Sequence, residues 1–182
     1  MTNLTDSQTP RGPSGIGGWL IWPIIGFIGT ILLTGWNFSR VFGQIDDFVL
    51  IFQATSGPLV ELQTPMVLSI VAGSLVIASA AYCLYLIFAK KPAIVNFATA
   101  HYLILASAGL VDVWGGIAIE KVAPTMPSDP TIVRDAVRGV LIACIWIPYF
   151  RVSKRVKNTF VNIRASESIV GPTSNNSSGY LR

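Results

Sequence analysis

The chain has 182 residues, 52% hydrophobic and only 12% charged, with a formal net charge of +4. A soluble domain carries about 25% charged residues, so too little polar surface remains here to cover a water-soluble globule, and the mean hydropathy of +0.59 agrees. The basic balance does not indicate nucleic acid. Much of the excess lies just after the last apolar run, in Arg151, Lys154, Arg155 and Lys157, where membrane orientation and anionic lipid headgroups call for it.

Residues 1–15 are rich in Ser, Thr, Asn, Gly and Pro and read as a disordered tail. The first apolar run, about Ile16 to Phe38, contains no charge and reaches the length of about 20 residues that a membrane-spanning helix needs. It is too long for the apolar region of a secretory signal, lacks a clustered basic start, and ends in Asn37, Phe38 and Ser39 where a signal would place small residues. It reads as a retained span. The connection that follows, Asn37 to Pro65, holds the short apolar stretch Phe48 to Phe52, an interfacial segment rather than a span at that length.

A second uncharged span, about Met66 to Ala89, stops at Lys90, Lys91 and Pro92. The third, about Ala93 to Ile119, carries His101 and Asp112. A connection with three prolines, Ala123 to Pro130, reads as extended. The fourth span, about Arg134 to Phe150, is apolar only from Gly139 onward and reaches spanning length by including its first turn with Arg138. Residues 164–182 form a second disordered tail. The predicted fold is therefore all-α, a polytopic membrane protein of four transmembrane helices over residues 16–163.

Lysines and arginines orient it. Arg11, Lys90, Lys91, Arg151, Lys154, Arg155, Lys157, Arg164 and Arg182 fall on one side; Arg40, Lys121 and Arg134 fall on the other, with Arg138 at the edge of the fourth span. The positive-inside rule then places both termini in the cytoplasm. Trp19, Trp22, Trp146 and Tyr149 mark the inner interface, and Trp36 and Trp114 lie toward the outer one, as amphipathic rings prefer. Cys83 and Cys144 fall inside apolar runs without acidic or histidine neighbours and are expected to be small core residues.

Two stretches carry a family resemblance. Gly17-Gly18-Trp19-Leu20 opens the first span, and Ile145-Trp146-Ile147-Pro148-Tyr149-Phe150 closes the fourth, continuing through Ser153-Lys154-Arg155-Val156-Lys157-Asn158-Thr159-Phe160. With four spans, this resembles the bacterial inner-membrane family catalogued as domain of unknown function 2569, over about Gly15 to Val161. The resemblance implies a topology and a bacterial inner-membrane address. It implies no reaction, substrate or catalytic residue.

Among single residues, Asp112 is the sharpest. It lies about eight residues, roughly 12 Å, inside the outer end of the third span, where an acid costs about 2.5–3.5 kcal/mol and must face protein or water. Arg138 enters from the same side. The two could form an ion pair locking the third and fourth helices, or Asp112 could titrate in an ion site. His101, three turns away on nearly the same face, could continue a polar stripe through Ser107 or Ala108, or simply bond to a neighbouring helix.

Gly26, Thr30 and Thr34 recur every fourth residue in the first span; Ser69 and Gly73, with Ser74 and Ala78 beside them, do the same in the second. Such spacing suits close helix packing, within the chain or in a homo-oligomer. Arg151, Lys154, Arg155 and Lys157, with Val156, Phe160, Val161 and Ile163, could continue as an amphipathic helix on anionic lipid, or dock a partner.

No phosphate-binding Gly-rich loop, His-Glu-x-x-His, nucleophile elbow or Cys-x-x-Cys occurs, so no catalytic, cofactor or metal site is predicted. The resulting reading is an accessory or scaffolding membrane subunit with lipid and a membrane-protein partner or second copy as its contacts. The alternative is a small transporter or proton-coupled channel using Asp112.

Overall fold

The structure is a computed structural model and describes residues 18–43, 45–124 and 131–161. The N-terminal tail, most of the proline-rich connection, Ile163 and the C-terminal tail lie outside them. The described residues are helical, with no strand among them. A 3-10 turn, Gly18–Leu20, leads into α1 (Ile21–Phe42), followed by α2 (Ile45–Gln53), α3 (Val60–Phe88), α4 (Ile94–Val122) and α5 (Thr131–Val152). One further turn, Lys154–Val156, runs into a π turn over Lys157–Val161.

Three segments are long and apolar enough to cross a membrane: Gly18–Phe42, Val60–Phe88 and Ile94–Val122. α5 qualifies only together with Lys154–Phe160, from which it is bent by 52°. The fold thus has three candidate spans, or four if that bent pair is one span. The weakness of the fourth has a plain cause, since Arg134, Asp135, Arg138 and Arg151 all fall within α5.

The observed helices outrun the apolar stretches. α3 begins at Val60, six residues before the expected start, because Pro65 is inside the helix and does not open it. Its missing N–H frees one carbonyl in the preceding turn, and its ring is buried, 3.6 Å from where a side chain at Gly115 would begin. The Phe48–Phe52 stretch belongs to α2, nine residues packed against α3, about 13 Å long and too short to span. Gln63 ties it down, its Nε2 donating to Ile51 O at 2.9 Å and Ala54 O at 2.8 Å. An apolar pocket of about 240 Å³ between α1, α2 and α3 is lined by Phe38, Phe42, Ile45, Phe48 and Ile70, among others.

α3 ends in a left-handed stop. Lys91 N–H donates to Leu86 O at 2.9 Å and Lys90 N–H to Ile87 O at 3.1 Å, with Lys90 at φ 50°, the double-bonded C-terminal motif usually completed by glycine. Pro92 follows and prevents continuation. The turn sends α4 back antiparallel along α3.

α1 packs on α3, α3 on α4, and α4 on α5. The core gathers at the end where α1 and α4 start and α3 and α5 finish, hereafter the basic end: Leu20, Phe27, Ala80, Cys83, Leu86, Ile87, Ile94, Ala98, Tyr102, Ala143, Phe150, Val156 and Phe160. Toward the opposite end, helices approach through small residues. A Cβ at Gly73 would stand 2.8 Å from Phe38 on α1, and one at Gly109 would stand 2.9 Å from the Ala136 backbone on α5. Gly26 has nothing within 4 Å, so of the two four-residue patterns only that of α3 meets a neighbour through its glycine. The α4–α5 seam, with Gly109, Ala136, Gly139 and Ala143, is the closer approach. Cys83 is buried as expected, but Cys144 is exposed: Ala143 takes the inward position, and the next residue turns about 100° around the helix.

The remaining surface is a collar of large apolar side chains, including Leu32, Leu33, Trp36, Leu75, Leu110, Leu141 and Ile145, far more than a water-exposed protein leaves bare. Gly109→Ala is expected to destabilise the chain by about 1–3 kcal/mol, as overpacking does. Gly26→Ala should leave it unchanged or slightly more stable. Reversible unfolding in mixed micelles measures both, and equal effects would disprove the close α4–α5 seam.

Candidate functional site

The polar groups of the spans are arranged as rungs between α3 and α4. Ser69 Oγ donates to Asp112 Oδ1 at 2.9 Å. Ten residues further along α3, Ser79 Oγ lies 2.8 Å from His101 Nδ1. Ten and eleven residues separate the two members on each helix, so a single antiparallel register delivers both rungs, with Pro65 opposite Gly115 beyond them.

His101 is buried, 1% exposed. Phe27 of α1 meets its ring edge to face at 5.0 Å, and Tyr102 lies at 5.3 Å. Ser79 Oγ also donates to Val76 O at 3.1 Å, which leaves Nδ1–H to donate to Ser79 and makes Nε2 a bare acceptor. In the other tautomer Nε2 carries the proton. Either way Nε2 is buried without a partner. His101 thus serves as a three-helix junction joining α1, α3 and α4.

Asp112 is placed differently. α4 runs on to Val122, so Asp112 lies ten residues, about 15 Å, inside the helix. Its side chain is exposed apart from the Ser69 bond. Of the two roles open to Asp112, the ion pair with Arg138 is not formed among the described residues. The ion pair among the described residues is Arg134–Asp135 at 3.4 Å, between two exposed neighbours, and Arg138 is exposed as well. Asp112 shares the row of His101 and Gly115, which faces α3. α5, with Arg138, packs on the neighbouring row that contains Gly109 and Gly116. No described side-chain hydrogen bond links the Asp112 rung to the His101 rung, and Ser107 is exposed.

At the basic end the two distinctive sequence stretches meet. α5 stops at Val152. Ser153 then caps the next turn, its Oγ accepting from Val156 N at 3.5 Å, and the bend turns Val156 and Phe160 inward to 0% and 1% exposure beside Leu20 and Phe150. Of the apolar residues that an amphipathic helix on lipid would use, Val156 and Phe160 instead enter the protein core, as part of a hook; the side chain of Val161 and all of Ile163 lie outside the described residues. Gly18 has φ +56°, and a side chain there would coincide with the Arg155 guanidinium. The backbone conformation requires glycine, and a side chain would in addition have to displace the guanidinium. Arg155 is consequently half-buried, whereas Arg151, Lys154 and Lys157 are exposed. Tyr149 Oη and Arg155 Nε are buried without partners. Trp19, Trp146, Pro148, Tyr149, Val152 and Ser153 line an open groove of about 620 Å³ at this end.

Among the described residues no group of three or more His, Cys, Asp or Glu could hold a metal ion. Ser79, the partner of His101, was not singled out in the sequence, and Ser69 was read only as a small packing residue. The signal that finds both is the short turn after α3, which fixes which residues of α3 and α4 stand opposite.

An all-α chain with three candidate spans, or four, an apolar collar and polar groups held between helices has the makings of a multi-pass membrane protein. Residues 13–161 match the family described as "Protein of unknown function (DUF2569)", and the chain belongs to it. No curated protein and no solved structure matches the chain.

Ser79→Ala strands both ring nitrogens of a buried histidine and is expected to destabilise by about 1–3 kcal/mol. Ser69→Ala should cost about 0.6 kcal/mol, the average for an interhelical hydrogen bond in a membrane. Unfolding in mixed micelles ranks the two, and the reverse order would remove His101 from its junction role.

Proposed function

We propose that the protein is an accessory or scaffolding subunit of the bacterial inner membrane, spanning it four times with both termini in the cytoplasm. The observation that carries this reading is Asp112. A carboxylate about 15 Å inside a spanning helix, bonded on one oxygen to Ser69 and otherwise at the surface, faces hydrocarbon unless something covers it. Arg138 poses the same demand on α5. Among the described residues nothing but Ser69 satisfies either one, so a second membrane protein or another copy of this chain supplies the complementary groups. The lysine and arginine distribution supports the orientation, and the absence of enzyme signatures in the sequence supports a role without substrate chemistry.

The tagged protein purified from its native membrane in mild detergent is expected to bring one partner at fixed stoichiometry. Asp112→Asn should release that partner while the chain itself remains folded. A clean monomer would overturn the subunit reading. The orientation has its own check. In a background with Cys83→Ala and Cys144→Ala, a Ser166→Cys thiol should be protected from impermeant reagent in intact cells and become reactive once the membrane is opened. Labelling from outside would invert the topology.

A second reading draws on His101 and Asp112 sharing one row of α4, with His101 Nε2 unpartnered. In that reading the row conducts protons or ions, and Asp112→Asn abolishes flux in proteoliposomes without releasing any partner.

A further inference from the structure

We infer that the groove at the basic end is a binding site for a single anionic phospholipid, with an acyl chain along its apolar wall and the phosphate at its Ser153 end. This rests on the reading that the basic end faces the cytoplasmic leaflet.

The groove is an open trough of about 620 Å³ along the protein surface, a shape that suits an extended chain lying against it. Ile145, Pro148 and Val152 supply apolar surface, and the exposed Trp19 and the half-buried Trp146 supply rings that suit the headgroup level. It runs along the last two turns of α5, so hydrocarbon at one end and headgroup chemistry at the other follow from its direction. The polar end is cationic. Arg151 and Lys154 are exposed on either side of Val152 and Ser153, with Lys157 one turn on, and no carboxylate of the described residues 141–161 opposes them.

Two buried donors add a separate indication. Tyr149, whose ring lines the groove, and Arg155, two residues past Ser153 with its guanidinium against Gly18, each hold a polar atom without a partner. A buried unsatisfied donor costs about 1–3 kcal/mol, and a Tyr–Arg set with flanking lysines matches a phosphate in charge and hydrogen-bonding capacity. A zwitterionic lipid would offer the donors a phosphate but set its ammonium against the flanking cations, and an apolar helix would satisfy neither the donors nor the charge.

The test is native mass spectrometry of the full chain in neutral detergent, titrated with dioleoylphosphatidylglycerol and, separately, with dioleoylphosphatidylcholine. One saturable phosphatidylglycerol is expected, with at most weak binding of phosphatidylcholine. Tyr149→Phe should weaken that first site about tenfold, as loss of a charge-assisted hydrogen bond does, while leaving the lipid-free melting temperature unchanged or raised, because an orphan hydroxyl has been removed. Lys154→Gln, a surface change, should weaken it severalfold, and Lys121→Gln at the opposite end should not.

Equal binding of the two lipids, binding without saturation, indifference to both Tyr149→Phe and Lys154→Gln, or a copurified polypeptide occupying the groove would each overturn the site. Detergent exposes both ends of the protein, so such a failure says nothing against the orientation. Thiol labelling that inverted the topology would, conversely, remove the leaflet assignment and leave a measured lipid affinity standing.

Discussion

The five-residue connection from Ala89 to Ala93 constrains most of what surrounds it. A spanning helix must satisfy its backbone within itself, so neighbouring helices can be aligned only by side chains and by the connections between them. With Lys90 in the left-handed region and both terminal carbonyl bonds made, the stop of α3 leaves α4 one way to return. That register sets Ser79 against His101, Ser69 against Asp112 and Pro65 against Gly115. Because His101 also meets Phe27, the same register locates α1. A one-residue slip would turn each polar group about 100° away from its partner and leave it facing hydrocarbon or an apolar helix.

Packing is uneven along the bundle axis. At the basic end, large side chains from all four long helices and the hook interdigitate around Phe27, Tyr102 and Phe150. At the opposite end the helices touch through glycines and alanines, and α2 closes the side of α1 and α3 with Gln63 as its tether. One end is therefore fastened by apolar bulk and the other by close backbone approach. The exposed polar groups, Asp112 and Arg138, lie in that second half.

Much of the fold was legible because lipid imposes so coarse a rule. Uninterrupted apolar runs located α1, α3 and α4, and Lys90, Lys91 and Pro92 marked the α3–α4 turn. Helix ends were not legible. Helices continue past the apolar boundary wherever hydrogen bonding allows, as α3 does through Pro65 and back to Val60, and hydropathy carries no information about that. The site was half legible. Asp112 and His101 stood out by cost alone, but their partners did not, because serine is unremarkable in a spanning helix until register is known. Arg138 was linked to Asp112 by level in the membrane, and level ignores which face of the helix each residue occupies. The hook escaped because Val156 and Phe160 keep a helical spacing with the basic residues; Ser153, which breaks the helix and redirects both inward, is a single polar residue in a run of them.

The hook bears on the order in which the molecule is made. Leu20 and Phe27 find part of their packing in Phe150, Val156 and Phe160, residues synthesised more than a hundred positions later. While the chain is being inserted, α1 can associate with α3 as soon as that helix is in place, but its basic-end side stays open until α5 and the turn beyond Ser153 have left the ribosome. The first helix is thus the last to be enclosed. A chain interrupted before the final residues of the hook would keep its candidate spans yet present an open apolar cleft beside Leu20.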